Sequence, residues 1–237
     1  MVTKLKSVLR NPKSRLVLKA VVFGGLYYLL QLGGFSAIPI GIFAVGSVFL
    51  YAAPLFRTVE LLRPFLLLLA IALITGWVLR DSGYFFWSAA YFSFLFYLVL
   101  GVKDLAFIAR SIWQRVLNFG LAYLVFSLFF YHSQSYWPIK IAAIFIALIF
   151  LFRDVARGRA ATWLLSLAML QGLWVISLLP VGFLNAANLA FLAYFVLADL
   201  AFYYYNFGGV SRRRILTNVT FFVLLTLAVF AFSRWGS

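Results

Sequence analysis

Residues 64–79 have the sequence PFLLLLAIALITGWVL, sixteen positions without a charged side chain. A short polar segment, residues 80–83, follows, and a second apolar stretch begins directly after it. A helix needs about 20 mainly apolar residues to cross the hydrocarbon core of a bilayer. These two stretches therefore predict two membrane-spanning helices joined by a tight turn.

The same pattern extends over the whole chain of 237 residues. Hydrophobic residues make up 66 % and charged residues 11 %, and mean hydropathy is +1.06. An average soluble domain is only about 45–50 % apolar and is about 25 % charged. The composition excludes a soluble globule of this size and predicts an all-α, polytopic transmembrane helix bundle.

Apolar runs separated by short polar breaks predict nine spans. Their approximate limits are 16–32, 37–55, 64–79, 84–102, 116–131, 138–152, 160–179, 184–205 and 215–233. Residues 1–15 carry five basic residues and no acid, and we expect this N-terminal arm to lie on the membrane surface. Residues 16–237 are expected to form a single transmembrane helical domain.

Basic residues indicate the orientation, because short cytoplasmic loops of membrane proteins are enriched in Lys and Arg. With the N-terminus inside, 17 of the 20 Lys and Arg residues fall in the inner segments. The three that fall outside are Arg80, Lys140 and Arg234. This distribution predicts an N-in, C-out protein of the cytoplasmic membrane with an odd number of spans.

Four of the five acidic residues recur at the inner ends of the even-numbered spans: Glu60, Asp104, Asp154 and Asp199. The last three lie in the related segments KDLA, RDVA and ADLA. The recurrence is consistent with four repeated hairpins plus one further helix, although so short a match also arises by chance. The first three acids have basic residues beside them. They either balance local charge or form an inner-face ring of carboxylates that binds a cation or pairs with arginines.

Asp199 differs from the other acids because no basic residue follows it before Arg212. At 100° per residue, four further polar residues share its helix face: Asn185, Asn188, Tyr203 and Asn206. Such a face is expected to point at protein or water, as a hydrogen-bonded interior face or as part of a substrate or proton path. We expect Asp199 to meet a basic or hydroxyl group from another hairpin. By depth, the candidate partners are Arg63, Arg110, Arg153 and the tyrosines at 203–205.

Other side chains give weaker expectations. Gln171, near the middle of span 7, is expected to hydrogen-bond to another helix. Lys19 lies a few residues inside its span and is expected to extend toward the membrane surface. Tyr and Trp are expected near the span ends and Phe on the lipid face.

Few residues are available for catalysis or metal binding. The chain has no cysteine and one histidine, His132, which excludes disulfides, Cys-ligated metals and multi-histidine sites. No catalytic triad, HExxH motif or Gly-rich phosphate loop is present. The sequence therefore predicts no catalytic residue, no metal and no cofactor, and an enzyme is the less expected class.

Because the predicted loops are short, a functional site would lie mainly within the membrane-spanning part of the protein. This favours a small permease or channel-like transporter of unknown substrate. The alternative is a non-transporting subunit that scaffolds or assembles other membrane proteins. A lipid-modifying enzyme that uses the inner acids and arginines is a third class. The expected partners are the bilayer, with anionic headgroups on the inner face, and other membrane proteins or a second copy of the chain. Nucleic acid is not expected.

Overall fold

The computed structural model describes residues 12–53, 61–79, 85–104, 109–131, 137–156 and 158–232. These residues form nine helices and no strand. The helices are α1 Pro12–Leu32, α2 Ala37–Ala52, α3 Leu62–Leu79, α4 Phe85–Lys103, α5 Arg110–Tyr131, α6 Trp137–Arg153, α7 Arg159–Ser177, α8 Phe183–Phe207 and α9 Arg212–Phe232.

Seven of the described helices are long and apolar enough to cross a membrane. The two others are α2, with 16 residues, and α6, with 17 residues. An all-helical, multi-pass membrane protein is therefore confirmed. The exact number of spans, the orientation and the single transmembrane domain stay predictions, and residues 1–11 of the N-terminal arm lie outside the described residues.

The start of α5 differs most from the prediction, since the helix begins at Arg110 instead of residue 116. Hydropathy locates the apolar side chains, whereas a helix begins where its backbone hydrogen bonds begin. Polar residues such as Gln114 and Arg115 have good helix propensity and continue the helix outward. The result is a helix of 22 residues that has the length to cross the bilayer.

The chain divides into two compact units, Met1–Leu121 and Ala122–Ser237. In the first unit, α1 packs against α4 and α2, and α4 also packs against α3. In the second unit, α7 packs against α6 and α8, and α8 also packs against α9. Each packed pair of the second unit is consecutive in the chain, as short connections favour, whereas the most extensive packing in the first unit joins the non-consecutive helices α1 and α4.

Stacked aromatic rings form the core of the first unit. Phe23 of α1 stacks on Phe96 of α4 with ring centroids 4.2 Å apart, and Tyr27 stacks on Phe85 at 4.8 Å. All four side chains are fully buried. The expectation that Phe faces lipid is wrong for these residues. Because lipid tails are as apolar as Phe, packing decides which rings lie inside, and flat rings stack well.

Candidate functional site between α8 and α9

The short connection between α8 and α9 brings these two helices side by side. Gly208, which follows α8, adopts a left-handed conformation with φ 73°, and its N–H donates to the carbonyl of Tyr204. Glycine takes this conformation without the steric cost of a Cβ. The hydroxyl of Ser211 then accepts a hydrogen bond from the N–H of Arg214 at 3.4 Å, which caps the start of α9.

Asp199 of α8 forms a bidentate ion pair with Arg214 of α9. Nε of Arg214 donates to Oδ2 of Asp199 at 3.1 Å, and Nη2 donates to Oδ1 at 3.2 Å. Asn218, one turn along α9, donates from Nδ2 to Oδ2 at 2.8 Å. The Asp199 side chain is 15 % exposed. Both carboxylate oxygens therefore accept hydrogen bonds, and the guanidinium donor is charged. These bonds offset the loss of water around the acid.

Tyr203 completes this arrangement, which we call the α8–α9 polar cluster: Asp199, Tyr203, Arg214 and Asn218. The guanidinium carbon of Arg214 lies 3.1 Å from the centroid of the Tyr203 ring, a cation–π contact. Each helix contributes two residues four positions apart, so both lie on one face of their helix.

The partner of Asp199 is none of the arginines considered by depth, which were Arg63, Arg110 and Arg153. Depth alone ignores connectivity, and Arg214 lies in the first turn of the helix that follows α8 directly. The signal in the sequence was the run of three arginines 212–214, of which one turns toward α8.

The other residues of the predicted polar face are not part of this cluster, and Asn206 donates to the carbonyl of Phe202 in its own helix. Asn185 and Asn188 lie near the opposite end of α8 and are half-buried. Asn188 and Asp199 are eleven positions apart, which is about 16 Å along a helix. Between them, the ring of Phe195 contacts the ring of Phe221 on α9, with centroids 6.2 Å apart. An apolar contact thus separates the polar ends of α8.

A cavity of about 320 Å³ lies at the Phe183 end of α8. Its walls include Lys140 of α6, Ser177 of α7 and Ala186 of α8. The ammonium nitrogen of Lys140 lies 4.5 Å from the centroid of the Phe129 ring, which also borders the cavity. The cavity therefore combines a positive charge with walls that are partly polar and partly apolar, in the same unit as the α8–α9 polar cluster.

The remaining predicted acids lie elsewhere. Asp104 follows α4 and Asp154 follows α6, and both are exposed, whereas Asp199 lies eight residues before the end of its helix. Glu60 and His132 lie outside the described residues. The ring of carboxylates stays a prediction. Within the described ranges, no group of three His, Asp or Glu side chains could hold a metal ion.

Two lysines form a polar site in the first unit that the sequence did not indicate. Lys19 of α1 donates to the carbonyl of Ala53, and Lys103 of α4 donates to the carbonyl of Tyr51. These carbonyls belong to the C-terminal end of α2, where no intrahelical donors remain and positive charge is favourable. Lys103 is only 2 % exposed. The signal was that both lysines adjoin apolar runs while α2 has no basic residue in its last turn.

Gln171 does not make the contact expected of it. Its side chain is exposed on α7, and in the described part of the chain its amide forms no hydrogen bond to another helix. The buried face of α7 contains Thr162, Ser166, Met169 and Leu173. Gln171 is two residues from each of the last two, so it lies on the opposite face of the helix.

No protein family model, curated protein or solved structure matches this chain.

Proposed function

We propose that the protein is a small permease of the cytoplasmic membrane, with a path for a small anion along α8 in the second unit. One observation carries the proposal. A cavity that contains Lys140 lies at one end of α8, and the α8–α9 polar cluster lies toward the other end. The distribution of basic residues favours an outward-facing cavity, with the cluster on the inner side.

The cavity suits an anion because the Lys140 ammonium provides the positive charge at its wall. Asn185 and Asn188 follow along α8, half-buried, and their side-chain amides offer N–H donors to an anion that has lost water. Phe195 and Phe221 then form the narrow apolar part of the path. A polar face that continues past one apolar contact is the pattern expected for a gated path.

In this proposal the α8–α9 polar cluster is the closed inner gate. Asp199 occupies the guanidinium of Arg214 through two parallel hydrogen bonds. An arriving anion competes with the Asp199 carboxylate for this same cation. Exchange of one anion for the other keeps Arg214 paired throughout. The displaced Asp199 carboxylate keeps the Asn218 amide as a donor but loses its cation, which favours its return to Arg214 and closure of the gate.

Reconstitution of the purified protein into liposomes tests the proposal. Light scattering after an osmotic step, with potassium chloride, nitrate, acetate and phosphate as probes and valinomycin for the cation, reports anion entry. We expect faster entry of at least one anion than in protein-free liposomes, and a large decrease for Lys140→Gln. Arg159→Gln, at an exposed position on α7 of the same unit, serves as the control. Liposomes that show no entry above the protein-free rate with any salt would contradict the proposal.

Gln171 favours a second candidate function, a non-transporting membrane subunit. Its amide lies on the exposed face of α7, near the middle of a helix that is apolar enough to span the membrane. An unpaired amide in hydrocarbon is unfavourable, so a polar side chain from another membrane protein or from a second copy of the chain would stabilise it. Cross-linking in native membranes separates the two candidates, since only the subunit function predicts partners that are lost in Gln171→Leu.

A further inference from the structure

One exposed face of α9 has arginines at one end and mainly apolar side chains along the rest. It borders an open groove of about 650 Å³. We call this surface the α9 groove; its principal residues are Arg212, Arg213, Leu216, Thr217, Phe221 and Leu224. Most of these side chains are exposed, and the spanning part of α9 has no fully buried residue.

Arg212 and Arg213 differ from Arg214 in their surroundings. Arg214 is paired with Asp199, whereas Arg212 and Arg213 are exposed. Within the described residues, neither of these two side chains forms an ion pair. The hydroxyl of Thr217 donates to the backbone carbonyl of Arg213 at 2.9 Å. This hydroxyl proton is therefore already used, and the arginines are the hydrogen-bond donors for an anion at this end. Arg212 and Arg213, which are consecutive in the chain, thus both line the head of the α9 groove.

The dimensions of the groove match one leaflet of a bilayer. Arg213 and Leu224 are eleven residues apart, which is about 16 Å along a helix. Half of the hydrocarbon core of a bilayer is about 15 Å. A ligand with an anionic head at the arginines and an apolar tail at Leu224 would therefore have the length of a single phospholipid.

We propose that the α9 groove binds an anionic phospholipid of the leaflet on the Arg212 side. The guanidinium groups of Arg212 and Arg213 hold the phosphate and the anionic headgroup, because guanidinium forms paired hydrogen bonds with phosphate oxygens. One acyl chain lies along Leu216, Phe221 and Leu224. Two cations favour a lipid with net negative charge over a zwitterionic one. This proposal does not depend on transport.

Native mass spectrometry of the full chain in detergent tests the proposal, with phosphatidylglycerol and phosphatidylcholine of identical acyl chains as probes. We expect phosphatidylglycerol to bind about 25-fold more tightly, since each of the two arginines adds about a factor of five near an anionic headgroup. The double variant Arg212→Gln with Arg213→Gln should bind the two lipids within about a factor of two. Circular dichroism of that variant should show an unchanged helix content, because both residues are exposed.

A charge-matched variant, Arg153→Gln with Arg159→Gln, removes two exposed cations from the same unit and should keep the preference. Two further probes separate a lipid from a free anion. Millimolar inorganic phosphate should leave bound phosphatidylglycerol in place, and dihexanoyl phosphatidylglycerol should bind much more weakly than the long-chain lipid. An equal loss in the control variant, displacement by phosphate, or a preference that survives in the Arg212 and Arg213 double variant would overturn the proposal.

Discussion

Asp199 shows how a single acid is accommodated at a membrane helix. The guanidinium of Arg214 and the amide of Asn218 donate to its two oxygens, and the ring of Tyr203 covers the guanidinium on another side. Charge, hydrogen bonds and ring contact therefore act on the same few atoms. Groups in such a network are coupled, so single substitutions do not add.

Asp199→Asn should lower the melting temperature of the detergent-solubilised protein by about 2–4 °C, because the bidentate ion pair is lost. Arg214→Met should also lower it, since the carboxylate then loses its cation. The double variant should lose less than the sum of the two, and thermal unfolding of all three proteins measures this. Asp81→Asn, in a segment outside the described residues, is the control and should change the temperature less. Strictly additive effects would show that the two side chains do not interact.

Lys103 is a cation that burial makes sensitive to replacement. It is 2 % exposed and donates to the carbonyl of Tyr51, and its nitrogen lies 4.6 Å from the centroid of the Tyr51 ring. Lys103→Met keeps the length of the side chain but leaves the carbonyl without this donor. We expect a loss of about 1–3 kcal/mol in the free energy of unfolding, measured by denaturant titration. Arg63→Met, exposed in the same unit, should change it by less than about 0.5 kcal/mol.

At the scale of helices, the face that packs inward determines what each polar residue contributes. In α9, Arg214 and Asn218 face α8, whereas Arg212 and Arg213 are exposed. In α7, Ser166 is fully buried and donates to the carbonyl of Thr162 within its own helix. The arginines of α9 therefore differ in their contacts according to their position around the helix: Arg214 pairs with Asp199, whereas Arg212 and Arg213 are exposed.

Gln171→Leu and Asn218→Leu should have opposite effects on the stability of the single chain. Gln171 is exposed on α7 and has no hydrogen-bond partner on another helix among the described residues, so leucine should leave stability equal or higher. Asn218 donates to Asp199, so its loss should cost about 0.6 kcal/mol, the average for a hydrogen bond between membrane helices. Thermal unfolding of the monomer in detergent measures both. A clear destabilisation by Gln171→Leu would place a hydrogen-bond partner for this amide within the chain.

The connection between α8 and α9 depends on the conformation of one glycine. Gly208 has φ +73°, and a Cβ there would meet no atom within 4 Å, so alanine would be unfavourable only because of the backbone conformation. Gly208→Ala should therefore cost about 1 kcal/mol in the free energy of unfolding. Gly209 has equally open surroundings and no such φ, so Gly209→Ala is a matched control with little expected effect. Equal effects of both substitutions would contradict this explanation.

At the scale of the whole molecule, the asymmetry of charge is the property that sets the orientation. The formal net charge is +15, and the predicted loops alternate between basic and nearly uncharged. An odd number of spans places the C-terminus on the side opposite to the N-terminus. Inserting or losing one span would reverse every later loop, so the whole distribution supports one topology.

Fusion of reporters to the C-terminus tests this topology. Alkaline phosphatase, which becomes active outside the cytoplasm, should be active at this end, and green fluorescent protein, which fluoresces inside, should stay dark. The same pair of reporters fused to the N-terminus should give the inverse result. A fluorescent C-terminal fusion would show an even number of spans and would contradict the N-in, C-out prediction.

The sequence alone determined the helical class, the membrane environment and most helix limits to within a few residues. Hydropathy, averaged over about 20 residues, is a property of composition along the chain and needs no knowledge of contacts. The polar face of α8 also followed from composition and helical period, because a 3.6-residue repeat places Asp199 and Tyr203 together. The limits were least accurate at α5, where polar residues continue the helix beyond the apolar run.

Only the tertiary structure decided which faces point inward and which side chains meet. In water, apolar faces turn inward, but lipid is as apolar as a protein interior, so hydrophobicity does not distinguish the two. Shape complementarity and local hydrogen bonding decide instead. For this reason Phe23 and Phe96 stack inside the first unit, Gln171 is exposed, and Asp199 pairs with Arg214 of the adjoining helix.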